Sequence, residues 1–172
     1  MSRSVGAGGA VRWLAAAAAD PERCRRQWAR RGGGAAELSA GTLWDVLILP
    51  SRLGVDALAV LHRTGGGRGP VLLDRVAGTV SYLVPPGAAG GWVGTGVRTL
   101  GAGARLIAPC PDAAGGDLRW LVAPDGTGEL TDLGLLESAM HEAVALGVRR
   151  TGPERRAVRV VPPGPARRAA SA

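Results

Sequence analysis

The 172-residue chain contains no Lys, no Asn and no Phe, and Ile occurs only at Ile48 and Ile107. Each shortage removes a class of chemistry. Without Lys there is no Walker-type phosphate loop, no Schiff-base nucleophile and no kinase-type lysine. The two Cys (Cys24, Cys110) and two His (His62, His141) form no short zinc motif, because zinc takes three or four clustered ligands. Two thiols also make no disulfide framework, which points to a reducing, cytoplasmic setting. No apolar run approaches the roughly 20 residues of a membrane-spanning helix, so no membrane partner is expected. Ala15–Ala19 imitates the apolar part of a secretory signal, but Arg12 interrupts it. The missing amino acids share AT-rich codons, so a GC-rich, bacterial genome accounts for the bias without reference to function.

Phosphate and acyl-transfer motifs are missing too. Gly94-x-Gly96 is followed by Thr99 and Gly6-x-Gly8 by Val11, so neither completes GxGxxG, and no serine sits in a GxSxG elbow. What is abundant is Arg, at 21 of 172 residues, with a net charge of +7. Residues 149–172 hold seven Arg against Glu154 alone and carry +6 of that charge. The first 148 residues hold fourteen Arg against thirteen acids and are nearly neutral.

Glycine, proline and apolar runs divide the chain. Residues 1–10 are Gly-rich and predicted to be disordered, 11–148 to form one α+β domain, and 149–172 to be an Arg/Pro-rich disordered tail. Val11–Ala19 carries helix formers. Asp20-Pro21-Glu22 marks a second helix running to about Arg30, with Asp20 as N-cap and Pro21 in the first turn. It places Cys24 and Trp28 on one face, with Arg23, Arg26 and Arg30 elsewhere. Leu43–Leu49, halted by Pro50, reads as a central strand. A helix from about Val55 to Arg63 follows, with Val55, Leu58 and Leu61 toward the core. Val71–Leu73, Thr79–Val84, Leu106–Ala108 and Trp120–Ala123 read as strands, the last two as buried ones. Thr131 is expected to cap a helix to about Leu146 that buries Leu136, Met140, Ala143 and Val144. The fold class is α+β, with helices packed on a mixed or mainly antiparallel sheet.

No residue stands out as catalytic or as a metal ligand. The one acid-x-acid triplet, Asp20-Pro21-Glu22, is explained by a helix start. Asp45 lies inside an apolar strand, Asp74 ends another, and Asp112, Asp117 and Asp125 belong to turns. His141 with Glu137 is an ordinary exposed helix pair, and His62 suits the negative end of a helix dipole. Of the five Trp, Trp28, Trp44 and Trp120 are core fillers in a chain without Phe, and Trp92, in a Gly-rich loop after Pro85-Pro86-Gly87, is the one placed to stack on a base.

One stretch carries a family resemblance. Gly96-Val97-Arg98, then Gly101 and Gly103, then Leu106-Ile107-Ala108-Pro109, then Gly115-Gly116-Asp117-Leu118-Arg119-Trp120, resembles the signature of bacterial bifunctional primase/polymerase N-terminal domains. Ala77–Pro85 looks like that family's Gly-Gly-x-His-x-Tyr strand, and Leu43–Leu49 like the strand that ends in its acid pair. The resemblance covers about residues 40–125 and implies a Prim-Pol-like core. It also implies a two-metal nucleotidyl-transfer site of two acids, a third acid and a His. Laid on this sequence, the acid pair falls near Leu49-Pro50-Ser51, the His at Val80 and the third acid at Gly96.

The implied reading is therefore a degenerate primase/polymerase-type domain, non-catalytic and associated with nucleic acid or with replication. The nucleic-acid-binding residues would be Arg98, Arg105 and Arg119 in the body and Arg149, Arg150, Arg155, Arg156, Arg159, Arg167 and Arg168 in the tail. Its partners would be DNA or another nucleic acid, or a replication or neighbouring-gene protein, and it needs no cofactor. Two alternatives belong to other classes. One is a protein-interaction module without a nucleic-acid role. The other is an active nucleotidyltransferase that uses Mg and takes its acids from Asp45, Asp56 and Asp74.

Overall fold

The structure is a computed structural model that describes residues 3–30, 34–92 and 96–150. In chain order it contains α1 (Arg3–Ala15), α2 (Pro21–Trp28), β1 (Ala36–Ser39), β2 (Asp45–Pro50) and α3 (Ser51–Thr64). There follow β3 (Val71–Asp74), β4 (Thr79–Val84), a 3-10 turn at Ala88–Gly91, β5 (Arg98–Leu100), β6 (Arg105–Ala108), β7 (Leu118–Val122) and α4 (Leu133–Arg150). Five strands form one sheet in the order β5-β2-β4-β3-β7, and β1 pairs with β6 in a separate two-stranded sheet. All strand pairs are antiparallel. Among the described residues no helix is long and apolar enough to cross a membrane.

The five-stranded sheet is covered on both sides. Leu47, Leu49, Leu73, Val80 and Tyr82 point to one face and pack with Leu58 and Leu61 of α3 and with Leu136 and Met140 of α4. Val46, Ile48, Leu72 and Leu83 point to the other and pack with Leu14, Trp28, Leu38, Trp44 and Leu106. Two covered faces explain why β2 reads as a continuous apolar run, since each buried Leu or Val contributes roughly 1.5–3 kcal/mol whichever way it points. Its one charged residue, Asp45, stands at the first position, where Oδ2 accepts the Ala89 N–H at 3.0 Å.

Several expectations change at the ends of elements. The N-terminal ten residues are not all irregular, because α1 begins at Arg3. Its glycines allow a close contact: a Cβ on Gly126 would fall 2.6 Å from the Gly9 carbonyl carbon, so the 126 turn rests directly on the helix backbone. The helix stops at Ala15 rather than Ala19. In α2 the Asp20 carboxylate accepts the Arg23 N–H at 2.9 Å, and Cys24 and Trp28 are buried as expected, although the helix ends at Trp28. Strand β2 starts at Asp45, not Leu43. Helix α3 starts directly after Pro50 and leaves Val55 45% exposed.

The C-terminal helix differs in the same way. Thr131 is buried and its N–H bonds the Leu83 carbonyl, whereas Asp132 accepts the Leu135 N–H at 2.9 Å and so caps α4. Leu136, Met140 and Ala143 are buried as expected, but Val144 is 53% exposed because Ala139 takes its place on the buried stripe. The helix continues through Arg149 and Arg150, which the sequence assigns to the disordered tail. The remainder of that tail, 151–172, lies outside the described residues. Strand β6 alternates, with Ile107 exposed, and β7 is half-buried along its length, so neither is the fully buried strand expected. They also belong to different sheets.

Helix α3 sits unusually close to the sheet. A Cβ at Gly54 would stand 2.5 Å from Val80 Cβ and 3.0 Å from each of its methyl carbons. The Tyr82 hydroxyl donates to the Gly54 carbonyl at 2.6 Å and ties the helix to β4. This contact fixes the end of β2, where the candidate site lies.

Candidate functional site

Register decides what meets at the C-terminal end of β2. Pro50 pairs with Thr79, Leu49 with Val80 and Ile48 with Arg98. Beyond Arg98, Val97 and Gly96 return to the same place, so Leu49, Pro50, Thr79, Gly96, Val97 and Arg98 line one shallow depression of about 400 Å³. The stretches that the primase/polymerase resemblance assigns to the acid pair, the His and the third acid are thus neighbours in space, though far apart in sequence.

The chemistry of this depression is limited. Leu49 and Val80 are fully buried. Among the described residues Arg98 is the one charged group lining it, and Thr79 supplies a hydroxyl. Magnesium requires carboxylate oxygens, and no carboxylate among the described residues lines this depression. Among the described residues no three His, Cys, Asp or Glu lie together in a way that could hold a metal ion.

The acids of the alternative enzyme reading do not gather either. Asp45 and Asp74 are at opposite ends of the sheet, opposite Val84 and Thr79 respectively. Five residues of strand, roughly 17 Å at about 3.4 Å each, separate those levels. Asp45 is 2% exposed, and its Oδ1 is buried without a partner. Asp74 accepts the Ala77 N–H at 2.8 Å and stabilises the β3–β4 turn. Asp56 lines a second depression of about 420 Å³ with Ser51, Arg52, Val55, Leu73 and Arg75.

The body arginines named from sequence do not share a surface. Arg98 is exposed at the start of β5, on one edge of the five-stranded sheet, and Arg119 is half-exposed on β7, at the other edge. Four strand spacings, roughly 19 Å, separate those edges. Arg105 lies on the small sheet and pairs with Glu37 across it. Arg149 and Arg150 end α4, while Arg155, Arg156, Arg159, Arg167 and Arg168 lie outside the described residues. Arg52 and Arg75 were not singled out from sequence, because their shared depression exists only once β3 is laid beside the start of α3.

Trp92 is half-buried and packs on the α3/α4 side of the core, with its indole nitrogen enclosed. Trp28 and Trp44 are core residues, and Trp120 donates to the Pro109 carbonyl at 3.2 Å. His141 and Glu137 are exposed on α4 and do not bond to each other. A hollow of about 780 Å³ lies beside α2 and is lined by Trp28, Ala29, Pro109 and Cys110 with Arg25 and Asp112. Its thiol is not activated. Burial raises the Cys110 pKa, and burial followed by the nearby Cys110 raises that of Cys24 to about 11. A thiol held protonated at neutral pH is a poor nucleophile. The chain matches no protein-family model, no curated protein and no solved structure.

Proposed function

We propose that the chain is a non-catalytic nucleic-acid-binding domain on a primase/polymerase-like scaffold, with its phosphate affinity supplied by arginine. One observation carries the reading. Leu49 and Pro50 of the stretch that the sequence resemblance assigns to the acid pair, and Gly96 assigned to the third acid, line a single depression, with Val80, assigned to the His, paired to Leu49, while Ser51 lines the second depression. The same positions carry Leu, Pro, Ser, Val and Gly, so the scaffold lacks the charges that two-metal chemistry uses. Loss of even one preorganised polar group commonly costs about 10²–10³ in rate, and here the whole set is replaced. What remains for such a scaffold is binding. The charge of +6 in residues 149–172 supplies a sequence-independent affinity for phosphate.

The test places both halves of the reading in one reaction. The full chain is mixed in excess with a primed template, magnesium and deoxynucleotides, and the products are resolved on native and denaturing gels. Retarded template with an unextended primer is expected. Nucleotide incorporation that depends on the chain would overturn the non-catalytic assignment, and unretarded template at low salt would overturn the binding assignment.

A further inference from the structure

We propose that the outer face of α2 is the part of the folded body that meets the nucleic-acid backbone, through Arg23, Arg26 and Arg30; this rests on the nucleic-acid reading above. Arg23 and Arg26 are exposed and one turn apart. The backbone stays helical at Ala29 (φ −73°, ψ −12°), and the Arg30 N–H returns to the Gln27 carbonyl, so Arg30 extends the same face by one more turn. Cys24 and Trp28 hold the opposite face in the core.

Charge distinguishes this surface from others. Residues 20–31 hold five Arg against Asp20 and Glu22, a net of +3, whereas residues 1–148 as a whole carry +1. The remainder of the body is therefore net acidic. Both acids of α2 are already engaged. Asp20 accepts the Arg23 backbone N–H, and Glu22 pairs with Arg25. The guanidinium groups of Arg23, Arg26 and Arg30 make no ion pair or hydrogen bond among the described residues. By contrast, Arg52 and Arg75 share their depression with Asp56.

Like charges at i, i+3 and i, i+4 disfavour a helix, so such a row works against folding unless a partner neutralises it. Its geometry suits phosphate. At the helical rise, Arg23 to Arg30 advance about 10 Å, the span of four successive phosphates of one strand at about 3.4 Å of axial rise each. An exposed row with no base-reading group beside it would position a backbone without selecting sequence.

The experiment uses the full chain and the variant R23Q/R26Q/R30Q, each titrated against a labelled single-stranded oligonucleotide and a duplex between 50 and 200 mM salt. Three lost contacts flatten the plot of log K against log salt by about 2 for single strand and about 2.7 for duplex. The charge-conserving variant R23K/R26K/R30K is expected to keep the parent slope. A thermal melt of each variant matching that of the parent separates lost contacts from misfolding. If the full chain binds and the glutamine variant binds with the same slope and affinity, the α2 assignment is wrong while the nucleic-acid reading stands. If the full chain binds neither nucleic acid at any salt, both are wrong.

Discussion

The close approach of α3 to the sheet makes Gly54 the most informative single position in the fold. In an ordinary exposed helix, Gly→Ala stabilises by about 1 kcal/mol. Here the new methyl would stand 2.5 Å from Val80 Cβ, a separation that real side chains do not tolerate. Helix α3 must therefore move off β4, and that movement strains the Tyr82 hydrogen bond to the Gly54 carbonyl. Overpacking of this kind costs about 1–3 kcal/mol, and the loss of a buried hydrogen bond adds about 1–3 more. With the propensity gain subtracted, G54A is expected to destabilise by about 1–5 kcal/mol, a fall in Tm of about 2–4 °C per kcal/mol for a chain of this size.

The cause can be isolated with V80G, which removes the Cβ at 2.5 Å together with both methyls that the new Cβ meets. V80G alone opens a cavity and is destabilising, yet G54A/V80G should be less destabilised than the two single effects combined. The expected coupling is about 1 kcal/mol or more in a double-mutant cycle measured by urea unfolding. A neutral or stabilising G54A, or strict additivity with V80G, would refute the close contact and with it the geometry of the depression at the end of β2.

Three other outcomes follow from named contacts. D132A removes the acceptor of the Leu135 N–H at the start of α4 and should cost about 1 kcal/mol, with faster amide exchange in the first turn of that helix, whereas Thr131 contributes no such cap. D45A leaves the Ala89 N–H without its acceptor inside the fold and should cost about 1–3 kcal/mol, and D45N, which keeps a carbonyl oxygen there, should cost less. Cys24 has its pKa raised from 9.0 to about 11 in the folded chain, so the folded state binds more protons than the unfolded state between those values. Stability is then fully present below pH 9 and falls as pH rises toward 11, and C24A should flatten that fall without removing the share due to Cys110 and Tyr82, whose pKa values burial also raises.

The parts of the fold legible in sequence are those whose local signals agree with their surroundings. Asp20-Pro21 defines the start of α2 by capping chemistry that operates wherever the helix packs. The run from Val46 to Leu49 between turn residues reads as a strand because both of its faces are covered. Strand β1 (Ala-Glu-Leu-Ser) and strand β5 (Arg-Thr-Leu) are too short and too polar to show a period, and only their partners β6 and β2 make them strands. The first turns of α1 are glycine-rich and lack helix propensity, and a tertiary contact with Gly126 accompanies the helix there. The depression was not legible in the sequence, because no local pattern tells Leu49 that it will stand beside Val80. On α2 the spacing of Arg23, Arg26 and Arg30 was visible, but the engagement of Asp20 and Glu22 that leaves them unpaired was not.

The central claim is binding through arginine without catalysis. It is tested most directly by titrating the full chain, and a chain ending at Arg150, with DNA at two salt concentrations. Residues 151–172 hold five Arg and one Glu, so their removal should lower affinity at low salt and flatten the salt slope by about 3.5–4.5. Equal, weak and salt-insensitive binding by both chains would contradict the account.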